Sequence, residues 1–255
     1  MIVTVCELPD DRPAFEDCWA RLAEHVKQAG CSTVVLPGMP FSRWFADATP
    51  VDAARWSEAV AQHDGWEQRI SELGALLVLG SRPMDFGNER YDEGFAWDPE
   101  FGVRSIHARG TQEFMPLEVG GVSVGLLIGD EVWAAGELQP QPYARGEVDL
   151  IAMPRCTRFA GLNQRLERAR AVATEMGAYV LSSNRGSPFE GQGWIIGPDG
   201  NTLGTTTQQQ PFLTLEIELA SERMLADCER IGPAPAWMDP LETGVPDHEP
   251  PDSPR

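Results

Sequence analysis

The stretch Gly125-Leu-Leu-Ile-Gly-Asp-Glu-Val-Trp133 decides the fold class. Its apolar run predicts a buried strand that ends in a turn at Gly129, followed at once by the carboxylates of Asp130 and Glu131. In open α/β proteins, ligands bind in the crevice at the carboxyl ends of the strands. A glycine at this point needs an explanation, because it has no side chain with which to do chemistry.

Strand and helix patterns alternate on both sides of this stretch. The apolar spacing between Asp10–Pro13 and Gly30 predicts an amphipathic helix. Two further helices are predicted: one over Val51–Leu73, with a break near Asp64-Gly65, and one over Leu162–Met176. A short helix is predicted over Leu138–Arg145. Buried strands are predicted at Ile2–Val5, Thr33–Leu36, Ala75–Leu79, Leu150–Met153 and Tyr179–Ser182, with a β-rich segment over residues 94–128. This order predicts an α/β layered structure, with two sheets face to face and helices outside.

The chain divides into a folded part and a tail. Residues 1–231 are predicted to form a single domain that ends with a strand over Phe212–Leu219 and a helix to about Arg230. Residues 232–255 contain seven prolines and few apolar residues. Such a composition cannot bury enough apolar surface to offset the ordering entropy, so we expect an extended or disordered tail.

Composition excludes several classes of protein. The net charge of −19 argues against nucleic acid and against anionic membrane surfaces, because both require a basic face. No signal peptide or apolar run long enough to span a bilayer is present in the sequence, so we expect a cytoplasmic protein. Five cysteines and four histidines are widely scattered, which argues against a disulfide framework and a metal site.

Three motifs occur in a fixed order: Val34-Val-Leu-Pro-Gly-Met-Pro-Phe41, Ala108-Arg-Gly-Thr-Gln112 and Gly125–Trp133. Together with the later stretches Asn184-Arg-Gly186 and Gly191–Gly200, they resemble the nitrilase, or carbon–nitrogen hydrolase, superfamily over about residues 2–230. The resemblance implies a four-layer αββα sandwich that forms a homodimer or a higher homo-oligomer. It also implies hydrolysis of a small amide, nitrile or N-carbamoyl compound without a metal or an organic cofactor.

In such a site a cysteine attacks the carbon to form a thioester, a glutamate moves the proton and a lysine stabilises the oxyanion. By motif, the glutamate position is Gly38, the lysine position Gly110 and the cysteine position Gly129. A second register would place the lysine position at Ser105. The sequence contains one lysine, Lys27, and it lies in the first predicted helix. The sequence therefore predicts a protein that cannot perform the thioester chemistry.

Other interpretations remain open at this point. Gly38 could simply be a turn glycine that permits a positive φ, and Gly129 a strand-to-turn glycine. Joint loss of the triad could reflect its removal or a pocket remodelled to need open space. Cys156, or water activated by Glu113, could replace the nucleophile in an active amidase, and Glu118 is an alternative to Glu113. A non-enzymatic protein that binds a small molecule or a partner is the third possibility. The predicted pocket residues are Phe41, Glu131, Trp133 and Cys156.

Overall fold

The structure is a computed structural model of the 255-residue chain. It describes residues 1–45, 51–87, 89–111, 114–129, 131–134, 142–157, 161–189 and 191–219. Contacts divide the chain into two compact units, Met1–Ile217 and Glu218–Arg255, and the second is described only at Glu218 and Leu219. The expected last helix and the tail at 232–255 lie outside the described residues, so the domain boundary after residue 231 stays a prediction.

Strands and helices alternate through the first unit much as the sequence predicts. The helices in the described part are α1 (Arg12–Ala29), α2 (Ala53–Glu67), α3 (Glu131–Ala134) and α4 (Leu162–Met176), with a 3-10 helix at Ile70–Leu73. The strands are β1 (Ile2–Leu8), β2 (Thr33–Val35), β3 (Leu77–Phe86), β4 (Glu89–Asp98), β5 (Gly102–Ala108), β6 (Leu117–Val119), β7 (Val122–Leu126), β8 (Leu150–Pro154), β9 (Tyr179–Arg185), β10 (Trp194–Ile196), β11 (Thr202–Thr205) and β12 (Phe212–Glu216).

The strands form two halves that face each other. The first half has the order β12-β1-β2-β3-β4-β5, and the second runs β6-β7-β8-β9-β10-β11. Strands β1, β2 and β3 are parallel, as are β7, β8 and β9. A short parallel pairing of Glu7 with Asn184 and of Leu8 with Arg185 joins the halves at their carboxyl ends. The carboxyl ends of both parallel sets therefore lie at one edge.

Helix α1 shows how the sequence sets the outer layers. The Asp11 side chain caps its N-terminus by accepting from the Ala14 N–H at 3.2 Å, and Gly30 ends it with φ +61°. Its buried stripe faces the first half of the strands, against which it packs a large cluster that includes Phe15, Trp19, Val34, Val78 and Phe95. This stripe follows the helical period of the sequence, so the helix predicted from Asp10–Pro13 to Gly30 is confirmed.

Helix α4 covers the second half of the strands in the same way. Ala169, Val172, Ala173 and Met176 from α4 pack with strand residues that include Ile151, Val180 and Ile196. The inner faces of the two halves meet directly: the Ser183 hydroxyl donates to Val35 O at 2.6 Å. The order of layers is helix, sheet, sheet, helix, which confirms the predicted αββα sandwich.

Several predicted boundaries differ from the structure. Helix α2 continues without a break through Asp64-Gly65, because a glycine in a helix interior costs only about 1 kcal/mol. Strand β3 extends to Phe86 beyond the predicted Leu79, since it pairs with β4 in a long hairpin. Of the predicted helix Leu138–Arg145, the described residues 142–145 form bends and turns.

None of the helices in the described part of the chain has the length and apolar character needed to span a bilayer.

Candidate functional site

The candidate site lies at the carboxyl edge where the two halves meet. The Gly38 N–H, just after β2, donates to Arg155 O, just after β8, at 2.9 Å. Strand β7 pairs with β8 in parallel, and Leu127 N–H donates to Ala152 O at 3.0 Å, so the chain leading to Gly129 runs beside the end of β8. Positions 38 and 129 therefore both border the end of β8.

Gly38 lies at a close approach between the two halves. A Cβ atom added there would lie 3.3 Å from the carbonyl carbon of Arg155 and 3.5 Å from the backbone N of Cys156. The interpretation that Gly38 permits a positive φ is wrong, because Met39 is the residue with φ +45° in this turn. Any side chain at position 38 would point directly at the end of β8.

Gly129 has a backbone conformation that disfavours other residues. Its φ is +59°, in the left-handed region, which agrees with the interpretation of a strand-to-turn glycine. A Cβ atom there would lie 3.4 Å from Cζ of Arg109 and 3.6 Å from its Nε. The guanidinium group of Arg109 thus covers the space into which a side chain at position 129 would project.

Gly110 is tied to the same edge through Glu131. The Glu131 carboxylate accepts from Gly110 N–H at 2.9 Å and from Ile128 N–H at 2.7 Å. It also bonds with Nε2 of His107 at 2.8 Å. Gly110 itself has φ +86°, and the space beside its Cα is open. Through these three contacts Glu131 holds the end of β5 against the end of β7, and so brings positions 110 and 129 together.

A buried carboxyl group, Asp92, completes the edge on β4. Burial raises its pKa to about 7, and the Ser81 hydroxyl and the charges of Arg109 and Arg185 offset only part of that effect. The backbone N–H of Arg109 donates to the backbone carbonyl oxygen of Asp92 at 2.8 Å, and the backbone N–H of Met39 donates to the backbone carbonyl oxygen of Ser81 at 3.1 Å. Asp92 therefore connects the turn at Gly38 with the turn at Gly110. The sequence analysis missed Asp92; its signal is an acid at an inward position of a strand.

Two buried arginines fix the strand ends around this edge. Arg155 donates to the Ser182 hydroxyl at 2.6 Å and stacks on Trp194, with Cζ 3.6 Å from the ring centre. Arg185 bonds with the carboxylate of Asp10 and with the carbonyl oxygens that follow β2, at Gly38, Met39 and Ser42. Both guanidinium groups thus hold backbone in place.

The structure separates the other predicted pocket residues. Phe41, which we expect to line the pocket or the core, lies in the core among Phe15, Trp19 and Trp66 at 1% exposure. Trp133 lies on α3 and packs against the cluster under α4. Cys156 is half-buried at the edge, beside position 38. Glu113 lies outside the described residues, as does Asp130.

The structure also places Lys27, the one lysine of the sequence, and Ser105, the alternative lysine position. Lys27 lies near the C-terminus of α1, where its aliphatic chain packs beside Gly74, on the outer layer. Ser105 donates to Glu93 at 2.6 Å, and Glu93 pairs with Arg82 at 2.9 Å, on the side of β4 opposite to Asp92. Only the register that uses Gly110 therefore brings the second motif to the edge shared with Gly38 and Gly129. Glu118 lies in β6, an outer strand of the second half.

A separate open cleft of about 610 Å³ lies between α2 and the turn that follows β2. Its lining includes Asp10, Arg12, Trp44, Arg55 and Glu58. None of the predicted site residues that the structure describes lines this cleft, so its size does not make it the candidate site.

Comparison with solved structures gives strong matches. A mutant of the amidase from Nesterenkonia sp. AN1, in which acrylamide has added to the active-site cysteine, superposes with a TM-score of 0.66. It is 18% identical over 91% of this chain and 98% of that one. A second mutant of the same nitrilase-superfamily amidase gives 0.67 at 19% identity, over 91% and 95% of the two chains.

A carbon–nitrogen hydrolase superfamily protein from Xanthomonas campestris, with an arsenic adduct in its active site, also has a TM-score of 0.67. It is 15% identical over 89% of this chain and 94% of that one. No model of a known protein family matches the sequence, and no curated protein does. At these identities the likeness establishes the architecture. On the evidence of its layers, strand order and superpositions, this chain has the fold of the nitrilase superfamily.

Proposed function

We propose that this protein is a member of the nitrilase superfamily whose ancestor hydrolysed a small amide, nitrile or N-carbamoyl compound, and that it binds such a compound without cleaving it. The observation that carries the proposal is the edge itself. The three triad motifs converge there, yet positions 38, 110 and 129 have no side chains. In place of a nucleophile, the guanidinium of Arg109 covers position 129.

Each step of thioester hydrolysis requires a group that these positions do not supply. A thiolate must attack, a base must accept its proton and a cation must face the developing oxyanion. Lys27 packs on the outer layer beside Gly74. The thiols of Cys6 and Cys18 are buried, and burial raises the pKa of both, that of Cys18 to about 11. We therefore expect turnover at the level of the uncatalysed reaction.

One observation favours a second candidate function, an active amidase with a relocated nucleophile. Cys156 is half-buried, and its backbone N lies 3.5 Å from the Cβ position of Gly38, so the residue belongs to the same edge. Its neighbour Arg155 is engaged with Ser182 and Trp194, so it offers little activation of the thiol. Selective alkylation of Cys156 by iodoacetamide that abolishes a measured amidase activity would establish this alternative.

Assembly and location are part of the proposal as well. We propose a homodimer or a higher homo-oligomer, as the resemblance implies, and a cytoplasmic location, as the sequence composition suggests. Light scattering coupled to size exclusion on the full chain tests the assembly, and a monomer at high concentration would contradict it.

The decisive experiment restores the triad. We expect no ammonia release from propionamide or propionitrile by the natural protein, nor by the single variants Gly38→Glu, Gly110→Lys and Gly129→Cys. The triple variant is expected to release ammonia and to form a covalent adduct at position 129, detectable by mass spectrometry. Because the Cβ position of Gly38 is tight against β8, folding is checked first by circular dichroism.

Two outcomes decide against the proposal. Turnover by the natural protein that survives replacement of Cys156 by serine would show that the candidate site still catalyses. A folded triple variant that neither binds nor cleaves any small amide, nitrile or N-carbamoyl compound would contradict the assignment of the three positions.

A further inference from the structure

Asp92 lies on the inner face of β4, toward the second half of the strands. Side chains alternate along a strand, and Phe95 belongs to the outer cluster under α1. Glu93 points the same way and pairs with Arg82 at 2.9 Å. Gly94 faces inward, since a Cβ atom added there would meet Leu126 of β7. Asp92 is two residues from Gly94 along β4, so its side chain points to the same inner face. It lies nearer to the carboxyl edge than Gly94, which places its carboxyl group at the candidate site.

The carboxyl group of Asp92 has an unused acceptor. Its Oδ1 is shielded from solvent and accepts no hydrogen bond from any residue that the structure describes. A buried acceptor without a partner costs about 1–3 kcal/mol. A ligand that supplies a donor at this point would remove that cost, so the group favours a ligand with an N–H.

Arg109 provides the complementary group next to it. The backbone N–H of Arg109 donates to the backbone carbonyl oxygen of Asp92 at 2.8 Å, so the two residues lie opposite each other, Asp92 on β4 and Arg109 just after β5. The guanidinium of Arg109 lies over Gly129. A guanidinium can only donate hydrogen bonds, and an ionised carboxylate can only accept them. A primary carboxamide has one group of each kind on a single carbon, a carbonyl that accepts and an NH₂ that donates.

We propose that Asp92 and Arg109 together recognise the primary carboxamide of a small ligand, with the Asp92 carboxylate accepting from the amide nitrogen and Arg109 donating to the carbonyl oxygen. The inference rests on the proposed function, in which the candidate site binds a small amide. It adds that recognition requires the ionised form of Asp92, so that binding below neutral pH releases a proton to solvent.

The sign of the pH dependence follows from this requirement. Burial places the pKa of Asp92 at about 7, so below that pH the ligand binds only after the proton has left. The apparent Kd should then be about tenfold higher at pH 6 than at pH 8. The charged groups that face Asp92 in the described part of the chain are Arg109, Arg185 and Glu131. His107 bonds with Glu131 at 2.8 Å and is unchanged in the Asp92 variants, so a pH dependence that disappears in those variants belongs to Asp92.

The test measures binding of propionamide and propionate to the full chain by titration calorimetry and NMR at pH 6, 7 and 8. For the natural protein we expect the Kd of propionamide to fall about tenfold from pH 6 to pH 8. Propionate should instead bind more weakly at pH 8, because two anions then face each other. Both compounds have the same alkyl group, so their difference isolates the amide nitrogen.

Variants at position 92 complete the experiment. Asp92→Asn keeps an acceptor that does not titrate, so propionamide should bind with the same Kd at every pH. Asp92→Ala should lose most of the affinity throughout. The control Asp199→Asn, which removes a carboxylate from the turn between β10 and β11, should behave as the natural protein.

The outcomes separate the two proposals. If the natural protein binds propionamide but Asp92→Asn keeps the full pH dependence, the inference about Asp92 is overturned while amide binding stands. If the natural protein does not bind propionamide at any pH, the inference about Asp92 and Arg109 is overturned, and the proposed function fails as well only if no nitrile or N-carbamoyl compound binds. Should Asp92→Ala not fold, the comparison with Asp92→Asn still decides.

Discussion

A cysteine placed at position 129 tests the geometry of the candidate site most directly. The variant Gly129→Cys forces a side chain onto a backbone with φ +59°, which costs about 1–2 kcal/mol. For a chain of this size, that is a melting temperature about 2–8 °C lower. Gly129→Ala should show the same loss, because it meets the same backbone strain without a thiol.

The thiol itself should be unusually acidic. Its Cβ would lie 3.4 Å from Cζ of Arg109, so the thiolate forms beside a guanidinium. An adjacent cation lowers a thiol pKa from about 8.5 to about 7 in an open site of this kind. The assay is the rate of iodoacetamide alkylation as a function of pH, in a background where Cys156 and Cys228 are replaced by serine. Cys18 will not interfere, since burial raises its pKa to about 11.

Arg109→Gln in the same background provides the control. Without the guanidinium, the midpoint of the alkylation profile should return to about 8.5. If both variants titrate at the same pH, Arg109 does not cover position 129, and the argument that it occupies the place of the nucleophile is refuted. Equal melting temperatures for Gly129→Ala and the natural protein would refute the backbone strain.

Three further outcomes are expected. Gly65→Ala, within α2 at a position where a Cβ atom meets open space, should raise the free energy of unfolding by about 0.5–1 kcal/mol, whereas Gly38→Ala should lower it by about 1 kcal/mol because its Cβ meets the end of β8. Urea unfolding compares the two variants, and equal effects would contradict the close approach at Gly38. Glu131→Ala should lose about 2–4 kcal/mol in the same assay, since it leaves the partly buried donors of His107 and Ile128, and the exposed N–H of Gly110, without their acceptor. A loss below about 1 kcal/mol would show that the carboxylate does not join the strand ends. Burial lowers the pKa of His63 from 6.5 to about 3, so the folded state resists protonation of this residue and the free energy of unfolding falls as pH drops below 6.5. Between pH 7 and pH 5, His63→Gln should lose about 2 kcal/mol less of that free energy than the natural protein, and parallel stability profiles would contradict the burial.

The sequence predicted most of the scaffold because the scaffold depends on local patterns. The helical period of apolar residues located α1 and α4, and the caps at Asp11 and Gly30 set the ends of α1. Boundaries failed where pairing partners decide them. Strand β3 runs on to Phe86 only because β4 pairs with it, which no pattern within β3 indicates.

The same distinction between local patterns and tertiary contacts applies to the candidate site. Motif order pointed to positions 38, 110 and 129, which local sequence can mark because each lies next to a strand end. The reasons for glycine differ at each position, and they are tertiary: a close approach to Arg155, a turn held by Glu131, and a guanidinium packed over a left-handed backbone. The sequence marks Asp92 only as an acid at an inward position of a strand, whereas its raised pKa comes from burial between two sheets.

The sequence by itself determined the alternation of strands and helices and the glycines at positions 38, 110 and 129, because both depend on residue types and on their spacing along the chain. Only the tertiary structure decided that Arg109 covers position 129 and that Asp92 lies beside it with an unused acceptor. The physical reason is that these contacts join β4, β5 and β7, and the distances between them are set by the packing of the two halves.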